Sequence, residues 1–221
     1  RYFLPAEYGV VTELYAYVAF LVIILTYGLE TAFFRFTQKQ YDKELVYSTS
    51  LISLLFSSIT FLFFMITFKQ SLANWLEYPN NTEYIIYFAF IIAIDAISSI
   101  SFAKLREQGQ ATRFALIRLI NIFINIGLNL FFIIYCPYAL SNNLPTTDFV
   151  MSLYNPNVGV GYIFIANLFA SVITIIMLIP EMIKTSWKFN INLWKKMMIY
   201  ALPLLIAGLA GMTNETVDRI L

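Results

Sequence analysis

The chain has 221 residues, 60% of them hydrophobic and 12% charged, with a formal net charge of +1 and no histidine. A soluble domain carries about 25% charged residues, so a water-soluble globule is excluded, and the near-neutral balance gives no basis for nucleic-acid binding. The single cysteine, Cys136, excludes an intrachain disulfide and a multi-cysteine metal site, and the lack of histidine argues against zinc and imidazole chemistry; no metal, cofactor or enzymatic role is expected.

The charge is gathered into short clusters between long apolar runs, and the mean hydropathy is +0.73. In hydrocarbon every backbone polar group has to be satisfied within the spanning structure, which leaves helices or closed barrels. The runs here are far longer than the alternating strands of about 10 residues that build barrels. The predicted fold class is therefore all-α, a polytopic membrane helix bundle with five complete transmembrane helices and the start of a sixth. A bilayer core of about 30 Å needs roughly 20 apolar residues in a helix.

In chain order, the first predicted span covers residues 11–34, with Glu13 and Glu30 near its ends and Arg35 within reach of Glu30. The second, 45–67, carries Ser50, Ser53, Ser57 and Thr60 on one face. A connection over 69–83 contains Trp75, Tyr78 and Pro79, residues suited to an interface and a turn. The third span, 84–103, holds Asp95 about eleven residues in, close to the bilayer midplane, with Ser98 and Ser99 placed to hydrogen-bond it. The fourth, 114–135, aligns Arg118, Asn121, Asn125 and Asn129 on one stripe, and is followed by a connection from Cys136 and Pro137 to Asn157. The fifth, 159–180, carries Asn167, Ser171 and Thr174. The glycines at 159 and 161 lack the Lys-Ser/Thr of a phosphate loop and read as a packing feature. Residues 187–196 mix Trp, Lys and apolar side chains, as a short helix on the inner surface would. The sixth span begins near Met197, is bent or started by Pro203, carries Asn214, Glu215, Asp218 and Arg219, and is cut at Leu221.

Lysine and arginine set the orientation. Arg35, Lys39, Lys43, Lys104, Arg106, Arg113, Arg118, Lys184, Lys188, Lys195 and Lys196 fall on one side, against Arg1 and Lys69 on the other. Positive loops stay in the cytoplasm, so residue 1 is expected outside and the sixth span starts inside. With Arg at position 1 and apolar residues at the far end, the chain reads as a piece of a longer protein that lacks one preceding helix.

The polar residues within spans admit two readings. Ser, Thr and Asn pair across helices in ordinary packing at roughly 0.6–2 kcal/mol each; alternatively they line a wet passage. Asp95 is the sharpest case, because a carboxylate at mid-membrane costs about 2.5–3.5 kcal/mol and marks a functional site by default. The bland alternative is a structural carboxylate, protonated or paired with Arg118 or with the lost helix. Glu215 and Asp218, three residues apart on one face, are the other acidic candidates, or else mark the outer interface.

Three stretches resemble a known family. Arg1-Tyr2-Phe3-Leu4-Pro5-Ala6-Glu7-Tyr8-Gly9 is similar to the stretch after the first helix of polysaccharide and O-antigen flippases, and residues 27–36, Tyr-Gly-Leu-Glu-Thr-Ala-Phe-Phe-Arg-Phe, to their next signature. Ala201-Leu202-Pro203-Leu204-Leu205, with Asp218-Arg219-Ile220-Leu221, resembles the opening of their seventh helix. These flippases belong to the multidrug/oligosaccharidyl-lipid/polysaccharide exporter superfamily. The resemblance implies a two-lobed transporter. Residues 1–180 would form helices two to six of the first lobe, 181–196 a cytoplasmic inter-lobe linker, and 197–221 the start of the second lobe.

It further implies a bacterial inner-membrane protein that moves an undecaprenyl-pyrophosphate-linked oligosaccharide between leaflets by alternating access, for polysaccharide or O-antigen export. Its expected partners are the lipid-linked oligosaccharide, membrane lipid, a coupling cation or proton, and polysaccharide polymerase machinery. Arg118, Asn121, Asn125 and Asn129 are the candidates for the sugar-lipid headgroup, and Asp95, Glu215 and Asp218 for ion coupling or gating. Cavities of the family are often cationic, whereas Arg118 and Arg219 are the only basic residues expected within spans here. A cation-coupled multidrug antiporter of the same superfamily and a non-transporting membrane scaffold are the alternatives.

Overall fold

The computed structural model describes residues 5–39, 41–77, 79–142 and 146–220, and their side chains apart from those of residues 5–8, 10, 148–149 and 214–220. Features expected at Arg1, Tyr78, Pro145 and Leu221 lie outside the described residues, and at Glu215 and Asp218 only the helical backbone is described.

Regular structure among the described residues is helical: α1 (Pro5–Thr26), α2 (Leu29–Thr37), α3 (Lys43–Thr67), α4 (Lys69–Trp75), α5 (Thr82–Glu107), α6 (Ala111–Asn129), α7 (Cys136–Ser141), α8 (Thr147–Leu153), α9 (Gly161–Ile183) and α10 (Ile191–Ile220), with a π-helical stretch at Leu130–Tyr135 and a 3-10 turn at Pro156–Val158. Six segments are long and apolar enough to cross a membrane: Val11–Thr37, Lys43–Thr67, Thr82–Glu107, Ala111–Ser141, Gly161–Ile183 and Ile191–Thr213. The protein is an all-α, multi-pass membrane protein.

α5 is the hub, packed against α3, α9, α1, α2 and α6. Ala89, Ala93, Ala96 and Ala103 recur along it almost wholly buried. Small residues let helix backbones approach closely, which is what drives association where lipid is as apolar as leucine. Three clusters form around it. Phe88, Ile92 and Ala96 pack with Val11, Leu14 and Val18 of α1 and Phe164 of α9. Ile97, Ile100 and Ala103 join the buried faces of α2, α3 and α10, while Phe102 and Leu105 meet Ile117 of α6 and Leu178 of α9.

The short connections around residues 38–42, 108–110 and 184–190 collect the basic residues at one end of the bundle, and ion pairs tie it there. Arg106 meets Glu30 at 2.6 Å, Lys43 meets Glu107 at 2.6 Å, Lys104 meets Glu44 at 3.1 Å and Arg113 meets Glu181 at 2.5 Å. Each joins two different helices. By sequence position Glu30 could pair with Arg35. It reaches across to α5 instead, and Arg35 lies over the Tyr200 ring of α10 at 4.0 Å.

The first predicted span is not one continuous helix. Tyr27 (φ 38°) and Gly28 (φ 71°) are left-handed and separate α1 from α2. Gly28 is required twice over at this break: a Cβ there would lie 2.7 Å from the Ala201 carbonyl oxygen of α10. The stretch around Gly28 and the stretch around Ala201, far apart in sequence, are thus in direct contact. Behind the break Leu29, Ala32, Phe33 and Phe36 are buried, which fixes α2 against the core.

Two further differences have local causes. The fourth span was expected to end at 135, yet helix continues to Ser141. Pro137 has no N–H and its ring crowds the carbonyl four residues earlier; the π-helical turns at Leu130–Tyr135 lie immediately upstream of it, where such a mismatch is absorbed. Residues 187–196 do not form a separate surface helix. Residues 186–190 have no regular secondary structure, with Trp187 at φ 48°, and α10 starts at Ile191 rather than near Met197, capped by Asn190 Oδ1, which accepts from the Asn192 and Leu193 N–H groups at 3.0 Å. This irregular piece is tied to α3: Ser48 Oγ donates to the Lys188 carbonyl at 2.6 Å, and the Asn190 N–H donates to Thr49 Oγ1 at 3.3 Å. Just inside α10, Trp194 Nε1 donates to Ser53 Oγ, which also pairs with Tyr27. α10 runs on through Pro203.

Gly28→Ala and Gly109→Ala separate conformational strain from contact. Both sites have φ near +70°, but nothing lies within 4 Å of a Cβ at Gly109. Gly109→Ala is expected to cost about 1–2 kcal/mol. Gly28→Ala should cost clearly more and loosen α10, read as a larger drop in Tm in detergent and faster proteolysis between α9 and α10.

Candidate functional site

A cavity of about 330 Å³ opens between α1, α2, α5, α6 and α9, lined chiefly by polar groups. On α5 it is faced by Asp95, Ser98, Ser99, Phe102 and Arg106, positions three or four residues apart and so on one stripe. Asp95 is near the middle of α5, and Arg106 is about 16 Å further along the helix axis at about 1.5 Å per residue. The cavity therefore runs from mid-span to the basic end. α6 contributes Arg118 and Asn121, α9 contributes Asn167, Ser171 and Thr174, and α2 contributes Glu30.

The cavity gathers two acids and two bases. Glu30 and Arg106 neutralise each other near its basic end, where the Arg106 guanidinium also lies between the Phe34 and Phe114 rings at 5.2 and 5.4 Å. Asp95 and Arg118 do not form an ion pair; the structural carboxylate paired with Arg118 is not the arrangement adopted. Asp95 Oδ1 accepts a hydrogen bond from Ser171 Oγ at 3.0 Å. Arg118 lies 4.2 Å over the Phe102 ring, with its charge open to the cavity.

Ser98 and Ser99 do not hydrogen-bond Asp95 as expected. Ser99 Oγ donates to the Ala96 carbonyl at 2.7 Å, and Ser98 Oγ is buried with no partner among the described residues. Helical spacing puts all three on one side of α5, but the rotamers place the donor to Asp95 on α9.

The asparagine stripe divides. Asn121 faces the cavity and donates to Thr174 Oγ1 at 2.9 Å. Asn125 and Asn129 lie further from the basic end, in a ladder: Asn129 Nδ2 donates to Asn125 Oδ1 at 2.6 Å, Asn125 Nδ2 to Asn167 Oδ1 at 3.4 Å, and Asn167 Nδ2 to the Tyr15 hydroxyl at 2.8 Å. Of the α3 stripe, Ser50, Ser57 and Thr60 donate back to their own helix carbonyls, while Ser53 pairs with the Tyr27 hydroxyl and accepts from Trp194. Glu30, Arg106 and Tyr15 were not picked out from the sequence as parts of this site. Arg106 shares the Asp95 stripe, and that spacing is the clue that pointed to it.

A bundle of apolar helices around a charged and hydroxyl-rich cavity defines a multi-pass membrane protein with an intramembrane polar site. The chain belongs to the polysaccharide biosynthesis protein family, a flippase-type exporter family, which it matches over residues 1–143. The matched stretch contains Glu30, Asp95, Arg106, Arg118 and Asn121, and ends before α9. No curated protein and no solved structure matches the chain.

Water access to the cavity can be read by thiol labelling. Cys136, the native cysteine, is fully buried, and Cys136→Ala gives a blank background. Single Ser99→Cys and Asn121→Cys variants are expected to react with a small impermeant maleimide faster than Ser50→Cys, which is buried. Equal protection at all three positions would show a dry cavity.

Proposed function

We propose that this chain is part of an exporter that flips an undecaprenyl-pyrophosphate-linked oligosaccharide from the inner to the outer leaflet of a bacterial inner membrane, by alternating access, in polysaccharide or O-antigen export. In this reading residues 1–180 belong to the first lobe, 181–196 to the cytoplasmic linker and 197–221 to the second lobe. The observation that carries the proposal is the polar cavity reaching mid-span with Arg118 and Asn121 on one wall and Asp95 on another. An anionic, sugar-bearing headgroup needs such a path, because a charge in hydrocarbon is costly.

Arg118 offers a guanidinium with no carboxylate partner among the described residues, suited to bidentate hydrogen bonds with phosphate oxygens. Asn121 offers an amide for sugar hydroxyls, and Asn125 and Asn129 extend that face if their ladder opens. The remainder of α6 suits an acyl tail left in the bilayer, since Leu116, Leu119, Ile122 and Phe123 are exposed and only Ile117 is buried. Asp95 is assigned ion coupling or gating, with Glu215 and Asp218 of α10 as further candidates. Membrane lipid and polysaccharide polymerase machinery are the partners this role implies.

A cation-coupled multidrug antiporter is the second reading, favoured by the Asp95 carboxylate, which has a serine donor and no ion-pair partner among the described residues. Replacement of Arg118 and Asp95 in the full-length protein separates the two. A hydrogen bond to a charged group contributes about 1.5–3 kcal/mol, so Arg118→Ala is expected to cut surface polysaccharide about tenfold to a hundredfold at unchanged protein level, with Arg118→Lys intermediate and Asp95→Asn also defective. Normal polysaccharide in both Arg118→Ala and Asp95→Asn, with raised drug sensitivity, would replace the flippase by the antiporter.

A further inference from the structure

Oxygen-bearing side chains from two helices meet at the mid-span end of the cavity. Ser171 Oγ on α9 lies 3.0 Å from Asp95 Oδ1 on α5. Ser98, one turn along α5 from Asp95, lines the same cavity, is 2% exposed, and has a hydroxyl oxygen with no hydrogen-bond partner among the described residues. Buried hydroxyls are nearly always satisfied, and an exception calls for a reason. Here the exception is one helical turn from a mid-span carboxylate that is itself undercompensated. A bound cation resolves both, because it neutralises the carboxylate and takes a lone pair from each hydroxyl.

We infer that Asp95, Ser98 and Ser171 form a binding site for a monovalent alkali cation, sodium, between α5 and α9. The inference rests on the transport reading above and names the coupling ion that reading leaves open. The polar side-chain atoms these residues offer are all oxygens, as hard cations require. A single carboxylate balances one positive charge; a divalent ion would leave a surplus beside the two arginines of the cavity. The described residues contain no group of three or more acidic or cysteine side chains arranged to hold a metal ion, in keeping with a singly charged occupant.

The charged groups facing the site are Arg118 from α6, Arg106 from further along α5, and Glu30 from α2, which is paired with Arg106. Arg118 is the competitor, a like charge in the same cavity and the alternative counter-ion for Asp95. Sodium on Asp95 leaves Arg118 free for an anionic headgroup, and its departure frees Asp95 to draw Arg118 away, so ion and headgroup favour each other.

The test is thermal unfolding of the intact protein in detergent at fixed pH and ionic strength, with choline chloride replaced stepwise by lithium, sodium or potassium chloride; a ligand that binds the folded state raises Tm saturably. A saturable sodium shift is expected, absent in Asp95→Asn, and about tenfold weaker in apparent affinity in Ser98→Ala and Ser171→Ala. In Arg118→Gln it should be tighter. Ser98→Ala deletes an unpartnered hydroxyl, so its fold is expected to survive. A wild-type Tm that ignores cation identity, one that follows pH alone, or a sodium shift that persists in Asp95→Asn would each overturn the site. Loss of export in Asp95→Asn without any sodium shift would remove the cation site and leave the flippase. A sodium shift abolished by Asp95→Asn, in a protein whose export is unaffected by that change, would remove the flippase and leave the site.

Discussion

Hydrocarbon offers no hydrogen bonds, so every polar group carried into the bundle has to find its partner there or face a cavity. That constraint decides the structure more than apolar burial does, because an apolar side chain gains little by leaving lipid for protein. The helices answer it in two ways. Along α5 the buried alanines bring neighbouring backbones close, and most buried asparagine, serine and threonine side chains are matched to a side chain or carbonyl within reach, the hydroxyls of Ser58 and Ser98 being exceptions among the described residues. Asn125, Asn167 and Tyr15 form one continuous run through α6, α9 and α1, and Asn121 with Thr174 joins α6 to α9 separately.

Charge is distributed by the same rule. The four ion pairs lie at the basic end, where water is close, and there they join α2, α3, α6 and α9 to one another or to α5. Glu181 and Lys104 are the most buried members and have partners on other helices, Arg113 and Glu44. Breaking such a pair leaves an uncompensated charge, which is costlier than never having built it. Towards mid-span the balance changes. Asp95 and Arg118 share a cavity without bridging, and Asp95 takes its hydrogen bond from Ser171 instead.

The contact between Gly28 and Ala201 gives a physical reading to residues 27–36. The glycine permits both the left-handed turn and the close approach of the α10 backbone. Leu29, Ala32 and Phe36 anchor α2, Glu30 holds Arg106 at the cavity, and Arg35 covers Tyr200. One ten-residue stretch thus joins the cavity to α10.

The sequence by itself determined the number of spans, their approximate limits and the polar stripes, because a run of some twenty apolar residues and a three-to-four spacing are local properties. It also singled out Asp95, Arg118 and Asn121, since charge and amide groups stand out against an apolar background. Tertiary structure alone decided which way each stripe turns. Helical spacing assigns Asn121, Asn125 and Asn129 to one face, but not the neighbour that face meets, and α9 takes Asn125 into a ladder while Asn121 stays in the cavity. The pairing of Glu30 with Arg106 and of Asp95 with Ser171, each across 76 residues, was equally out of reach, and so was the break at Tyr27–Gly28 inside an unbroken apolar run. The reason is the same in each case. Spacing along one helix defines a face of that helix but not the neighbour that the face meets, and contacts with the other helices decide it.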